Sequence, residues 1–206
     1  FILSFIIFCF FLIFEQMKKI VYIAPHLSTG GLPQYLYRKI IETSKQLDVY
    51  CVEFENITGG KFIVQRKKIE DFLGDKFYSL SENREEIFEI LEKINPDFIH
   101  LEEIPEYFLS KNIADRIYSN NRKYKIFETS HDSSFNPDKE KIYLPDAFFF
   151  VSQWQINQYR NINVPKYWAE YPIDYKQREN REEGLKKLGL DPNKKHILNV
   201  GLFTPR

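Results

Sequence analysis

Between residues 18 and 41 the chain reads KKIVYIAPHLSTGGLPQYLYRKII, a short β-prone apolar run that passes through a Gly-Gly pair into a helix-periodic segment. This order constrains the fold more than any other stretch. Gly30 and Gly31 remove the Cβ atoms that would keep a ligand from the backbone, and the spacing from Leu32 onward predicts an amphipathic helix. The unpaired N–H groups and partial positive charge of such a helix start favour a phosphate or carboxylate at the end of the strand. Ser28 and Thr29 share the loop and are candidate phosphate contacts with the two glycines. The dinucleotide fingerprint needs three glycines, whereas Leu32, Pro33 and Gln34 follow this pair, which counts against an NAD-dependent oxidoreductase.

At 206 residues the chain can form one complete domain with a sizeable core and part of another. Its 29 basic and 29 acidic residues cancel, so nothing draws it generally to nucleic acid or an anionic membrane, and no nucleic-acid partner is expected. The two cysteines, Cys9 and Cys51, cannot make a disulfide framework. With no CxxC or Cys/His cluster, no metal is expected and a reducing, cytoplasmic setting follows.

Residues 1–16 open with fourteen uncharged, mostly apolar residues, FILSFIIFCFFLIF, short of the roughly 20 that a spanning helix requires. They lack the basic n-region and small-residue cleavage site of a signal peptide. Met17, the only methionine, directly precedes the first strand, so translation is expected to begin there, with 1–16 outside the native fold. A membrane anchor is the competing reading.

After Met17, strand-like and helix-like segments alternate, which predicts an α/β fold: a Rossmann-like, doubly wound, mainly parallel sheet. Strands are expected at 20–24, 49–54, 62–65, 77–80, 98–101, 126–129, 147–151, 167–170 and 197–200. Apolar stripes at helical spacing, namely Leu36, Ile40, Ile41 and Leu47, then Ile87, Ile90, Leu91 and Ile94, then Leu109, Ile113 and Ile117, read as core packing. The expected organisation is an N-terminal domain over 17–175, a charged connector over 176–195 whose helix ends at Gly189, and the start of a further domain over 196–206.

In an open parallel sheet, ligands bind beyond the carboxyl ends of the strands. The segments there are polar: His26 and the Ser28-to-Gly31 loop, Glu102 and Glu103 after FIHL, Ser130, His131 and Asp132 after IFET, and Ser152 after FFFV. His131 is the sharpest candidate, since a histidine after a buried strand can donate to a sugar hydroxyl or shuttle a proton, tuned by Asp132 or Glu103. Of the adjacent Glu102 and Glu103, strand alternation allows at most one into the cleft. His100, inside its strand, reads as a satisfied core histidine, and Ser152 as a helix cap. His26, Glu102, Ser130 and Ser152 remain candidate sugar contacts.

With these segments in order, residues 18–206 resemble the N-terminal half of GT-B glycosyltransferases of the family 4-like group. The resemblance is carried by the Gly-Gly strand–helix start, PDFIHLEE, ETSHDSS, DAFFFVSQW and HILNVGLFTPR. It implies transfer of a sugar from a nucleotide-sugar donor to a sugar, lipid or small-molecule acceptor, with no cofactor and no required metal. It further implies that HILNVG begins a donor-side domain, so that the chain is a fragment inactive alone. Gly30 and Gly31 would then approach the donor phosphate, His131 the transferred sugar, and Glu103 or Asp132 the acceptor hydroxyls, with Arg206 supplying charge near the diphosphate. Leu202 departs from the basic residue that often follows the glycine, and EYPID from the usual Asn-Gly. The alternatives are a non-catalytic nucleotide- or sugar-phosphate-binding module and a GT-B nucleotide-sugar epimerase. Peripheral membrane contact stays open, since Arg38 and Lys39 make only a small basic cluster.

Overall fold

Each strand of this chain is separated from the next by a connection long enough to carry a helix, and that separation makes neighbouring strands parallel. A computed structural model describes residues 17–28, 30–55, 64–80, 82–172 and 180–197. The strands are β1 (Lys19–Ala24), β2 (Asp48–Glu53), β3 (Phe77–Ser79), β4 (Phe98–Leu101), β5 (Lys125–Ser130), β6 (Ala147–Phe150) and β7 (Lys166–Trp168). The helices are α1 (Gly31–Thr43), α2 (Val64–Leu73), α3 (Glu86–Ile94), α4 (Pro105–Phe108), α5 (Lys111–Ile117), α6 (Pro137–Glu140), α7 (Gln153–Gln158) and α8 (Arg181–Lys187). All seven strands pair in parallel in the order β3-β2-β1-β4-β5-β6-β7, the α/β Rossmann-like fold that the alternation predicts.

Residue alternation along β1 builds both cores. Val21 and Ile23 join Ile99, Leu101 and Ile126 beneath α3 and α5, where Ile87, Leu91, Ile94, Ile113 and Ile117 are buried. Ile20, Tyr22 and Ala24 point the other way and meet Leu36 and Ile40 of α1 and Ile69 and Leu73 of α2. A third cluster joins Phe148 and Phe150 of β6 to Ile104, Phe135 and Tyr159. Burying each large aliphatic or aromatic side chain contributes about 1.5–3 kcal/mol, so sheet and helices hold one another in place.

Helix ends follow local chemistry. The α3 helix stops where Asn95 takes a left-handed conformation (φ 50°) ahead of Pro96, and Ser110 and Ser152 cap α5 and α7 by accepting from Ile113 N and Gln155 N. The chain divides into two compact units, Phe1–Pro172 and Ile173–Arg206. In the second, Asn180 caps α8, Arg181 donates to the carbonyls of Pro192 and Lys194, and Gly189 is left-handed at φ 69°. Among the described residues no helix is long and apolar enough to cross a membrane.

Three expectations are corrected. Val64 and Gln65, expected in a strand, open α2, whose buried residue Ile69 faces the sheet. Leu47 lies beyond the end of α1 and packs from the turn rather than from the helix. Ile197 is fully exposed and in no strand, while 198–200 and 1–16 lie outside the described residues.

Candidate functional site

The strand order reverses at β1: the chain runs outward to β2 and β3, then returns to β4 on the other side. The crevice between β1 and β4 is therefore the switch point at which ligands of open α/β sheets bind. At its floor, α1 begins at Gly31 with no side-chain cap and no acidic residue in its first turn. Gly30 adopts φ 153°, ψ −175°, a backbone region open essentially to glycine alone, and this lets the loop turn directly into the helix. A Cβ on Gly31 would lie 3.0 Å from the Tyr171 hydroxyl oxygen, so the absence of a side chain at the second glycine is what lets the phenol sit this close.

Above this start lies a buried polar cluster. Lys39, on the inward face of α1, places Nζ 2.6 Å from Glu102 Oε1, 3.0 Å from His100 Nε2 and 3.3 Å from Thr129 Oγ1. The rings of Tyr22 and Tyr35 each approach the ammonium with centroids at 5.2 Å. Burial draws the Lys39 ammonium down and by itself pushes Glu102 up. The 2.6 Å contact and the nearby histidines outweigh that effect for Glu102, which is held at about 2, so the pair is ionised. Burial, then the Lys39 charge, lowers His100 to about 3. It is thus a neutral imidazole whose Nε2 accepts from Lys39, with Thr129 Oγ1 2.7 Å away, the satisfied core histidine expected for this position.

Glu102 carries the cluster to the rim, where its Oε2 lies 3.5 Å from His131 Nε2. Glu103, expected as the carboxylate that tunes the imidazole, instead accepts the backbone N–H of Ile104 at 3.0 Å and of His131 at 3.3 Å. Burial pushes its carboxyl up. Both glutamates are buried just after β4 ends at Leu101, and Glu102 is the one whose carboxylate faces the His131 ring. Asp132 also turns from the imidazole: it accepts from Ser134 N at 2.7 Å and Ser134 Oγ at 2.8 Å, and these bonds hold its carboxyl low.

The remaining candidates fall into local pairings. His26 Nδ1 and Ser28 Oγ are 2.7 Å apart, Ser130 Oγ donates to the Asp132 carbonyl, and the Ser152 hydroxyl serves as the α7 cap. Thr29 and Arg206 lie outside the described residues. Lys39 and Tyr171 escape a reading of strand ends, since neither follows a strand directly. One signal marks Lys39: it lies three residues after buried Leu36 and one before buried Ile40, so a cation there projects from an apolar stripe and needs a partner.

Tyr171 closes the arrangement. Its ring lies 4.8 Å from that of Tyr35 and 6.4 Å from that of His131, and Tyr35 meets His131 edge-on at 5.2 Å. The segment is fastened to α1 where Arg38 Nη1 donates to the Pro172 carbonyl at 3.0 Å.

No protein-family model matches this chain. Over 91 residues it is 36% identical to a probable ATP-dependent helicase of Methanocaldococcus jannaschii, a stretch covering 44% of this chain and 11% of that relative. The match thus spans about a tenth of the relative's length. Among solved structures it is similar to UDP-N-acetylglucosamine 2-epimerase from Rickettsia bellii, with 15% identity and a TM-score of 0.48 over 85% of this chain and 52% of that one.

Proposed function

We propose that this chain is the acceptor-side half of a metal-independent GT-B glycosyltransferase that moves a sugar from a nucleotide-sugar donor to an acceptor hydroxyl. The observation that carries the reading is the convergence, at the β1/β4 switch point, of an uncapped helix start at Gly31 with the His131–Glu102–Lys39 series. A diphosphate leaving group gains negative charge as its glycosidic bond breaks, and backbone N–H groups at a helix start stabilise that charge without reorganising. In this reading the Gly30–Gly31 backbone faces the donor phosphate and His131 contacts the transferred sugar. Glu102, held by Lys39, keeps the imidazole in place. Asp132, at the more open part of the rim, receives acceptor hydroxyls.

The test is a panel of UDP-, GDP- and ADP-sugars offered to the protein expressed from its natural start to its natural stop, with and without an acceptor mixture. Turnover that depends on acceptor supports a transferase. Conversion of donor alone to an epimeric sugar contradicts transfer and identifies an epimerase. Binding across the panel without turnover would leave a ligand-binding module.

A further inference from the structure

The Tyr171 ring packs at the rim of the site against Tyr35 and His131. The phenol is 38% exposed, whereas Tyr35 beneath it is 2% exposed and the His131 side chain 11%. Its hydroxyl makes no hydrogen bond to any described residue, although its oxygen lies where a Cβ on Gly31 would be only 3.0 Å away. A tyrosine that packs over a polar recess without bonding to it gains little that a ligand ring could not replace. At the next residue Arg38 holds the Pro172 carbonyl.

We propose that Tyr171 is the gate of this site, a tethered ring that occupies the slot beside Tyr35 and His131 which the sugar ring of the ligand takes when the gate opens. The sugar assignment rests on the function proposed above; the gating does not. A pyranose presents a C–H face suited to the Tyr35 ring and hydroxyls suited to His131, and it can enter only after the phenol leaves. Affinity is then reduced by the fraction of molecules with the gate open. Tyr171→Ala removes the plug and Tyr171→Phe keeps it, because the hydroxyl bonds to nothing described. Gly31→Ala pushes it aside through the Cβ, which would meet the phenol oxygen at 3.0 Å.

The test reads access to His131 without using any nucleotide sugar. Carbethoxylation by diethyl pyrocarbonate is followed at each of the four histidines by peptide mass spectrometry, with His196 as exposed standard and buried His100 as blank. If the gate is open about a tenth of the time, Tyr171→Ala modifies His131 about tenfold faster than wild type, Gly31→Ala is also faster, and Tyr171→Phe matches wild type. A Tyr171→Ala rate equal to wild type, in a protein of unchanged melting temperature, overturns the gate. If that variant fails to fold, Gly31→Ala decides by the same criterion. Titration with the nucleotide-sugar panel then separates the two claims. Binding about tenfold tighter in Tyr171→Ala supports the plug and weaker binding contradicts it. Faster labelling with no binding by any sugar leaves the gate standing and removes the proposed function.

Discussion

Lys39 Nζ and Glu102 Oε1 are 2.6 Å apart, with side chains only 15% and 0% exposed, so a helix cation and a strand-end carboxylate neutralise each other inside the sheet–helix interface. The pair is also the only polar link from α1 to the rim histidine among the described residues, since the other oxygen of the same carboxylate faces His131. A buried pair of this kind adds little net stability, yet losing one partner is costly because the other is left charged and unpaired.

Lys39→Met is therefore expected to lower unfolding stability by roughly 3–5 kcal/mol, and adding Glu102→Gln to recover most of the loss. Urea denaturation of wild type, both single variants and the double variant gives the coupling. A double variant as unstable as the sum of the singles would show that the two residues act separately.

A second buried carboxylate makes stability fall as pH rises. Glu128 on β5 accepts from Lys141 at 2.8 Å and from the Tyr118 hydroxyl at 2.5 Å, but burial dominates and pushes it to about 7. Below pH 4.5 it is protonated in both folded and unfolded chains. Between 4.5 and 7 the unfolded chain ionises first, so stability declines by on the order of 3 kcal/mol and then levels off. Glu128→Gln stays neutral while Lys141 keeps Glu106 at 3.0 Å, so its stability profile is expected to be flatter over that window. A wild-type profile without this decline would show that the Lys141 charge outweighs burial.

Gly30 holds a backbone conformation that a Cβ strains, so Gly30→Ala is expected to cost about 1–3 kcal/mol although nothing nearer than Pro33 Cδ at 3.9 Å would touch the methyl. The size of the melting-temperature loss tests this. A neutral substitution would place the loop in an ordinary conformation.

The fold was legible because a parallel sheet buried on both faces writes itself as repeated apolar runs between helical stripes, and β1, β4, β5 and β6 lie within a residue or so of the runs that announced them. The polar rim was legible through the residues clustered after those runs, whereas the switch point between β1 and β4 emerges only from the strand order. Contacts within the site were not. Which of Glu102 and Glu103 faces the imidazole could not be read from alternation because both follow the last strand residue, Leu101, and Asp132 is taken by Ser134, a local turn bond that competes with any longer reach. Lys39 and Tyr171 come to the rim from a helix interior and from the segment after β7, and only tertiary packing brings them there. Val64 and Gln65, read as the end of a β-prone run, open α2 instead, where tertiary context outweighed propensity.

The most direct test of the central claim is the kcat of His131→Asn, measured with whichever nucleotide sugar the wild-type protein turns over and paired with the melting temperature of each protein. The account predicts a fall in kcat of about 100-fold or more, far larger than any loss of melting temperature, because the proposed function puts His131 against the substrate. Turnover equal to wild type would contradict it and remove the β1/β4 rim from the chemistry.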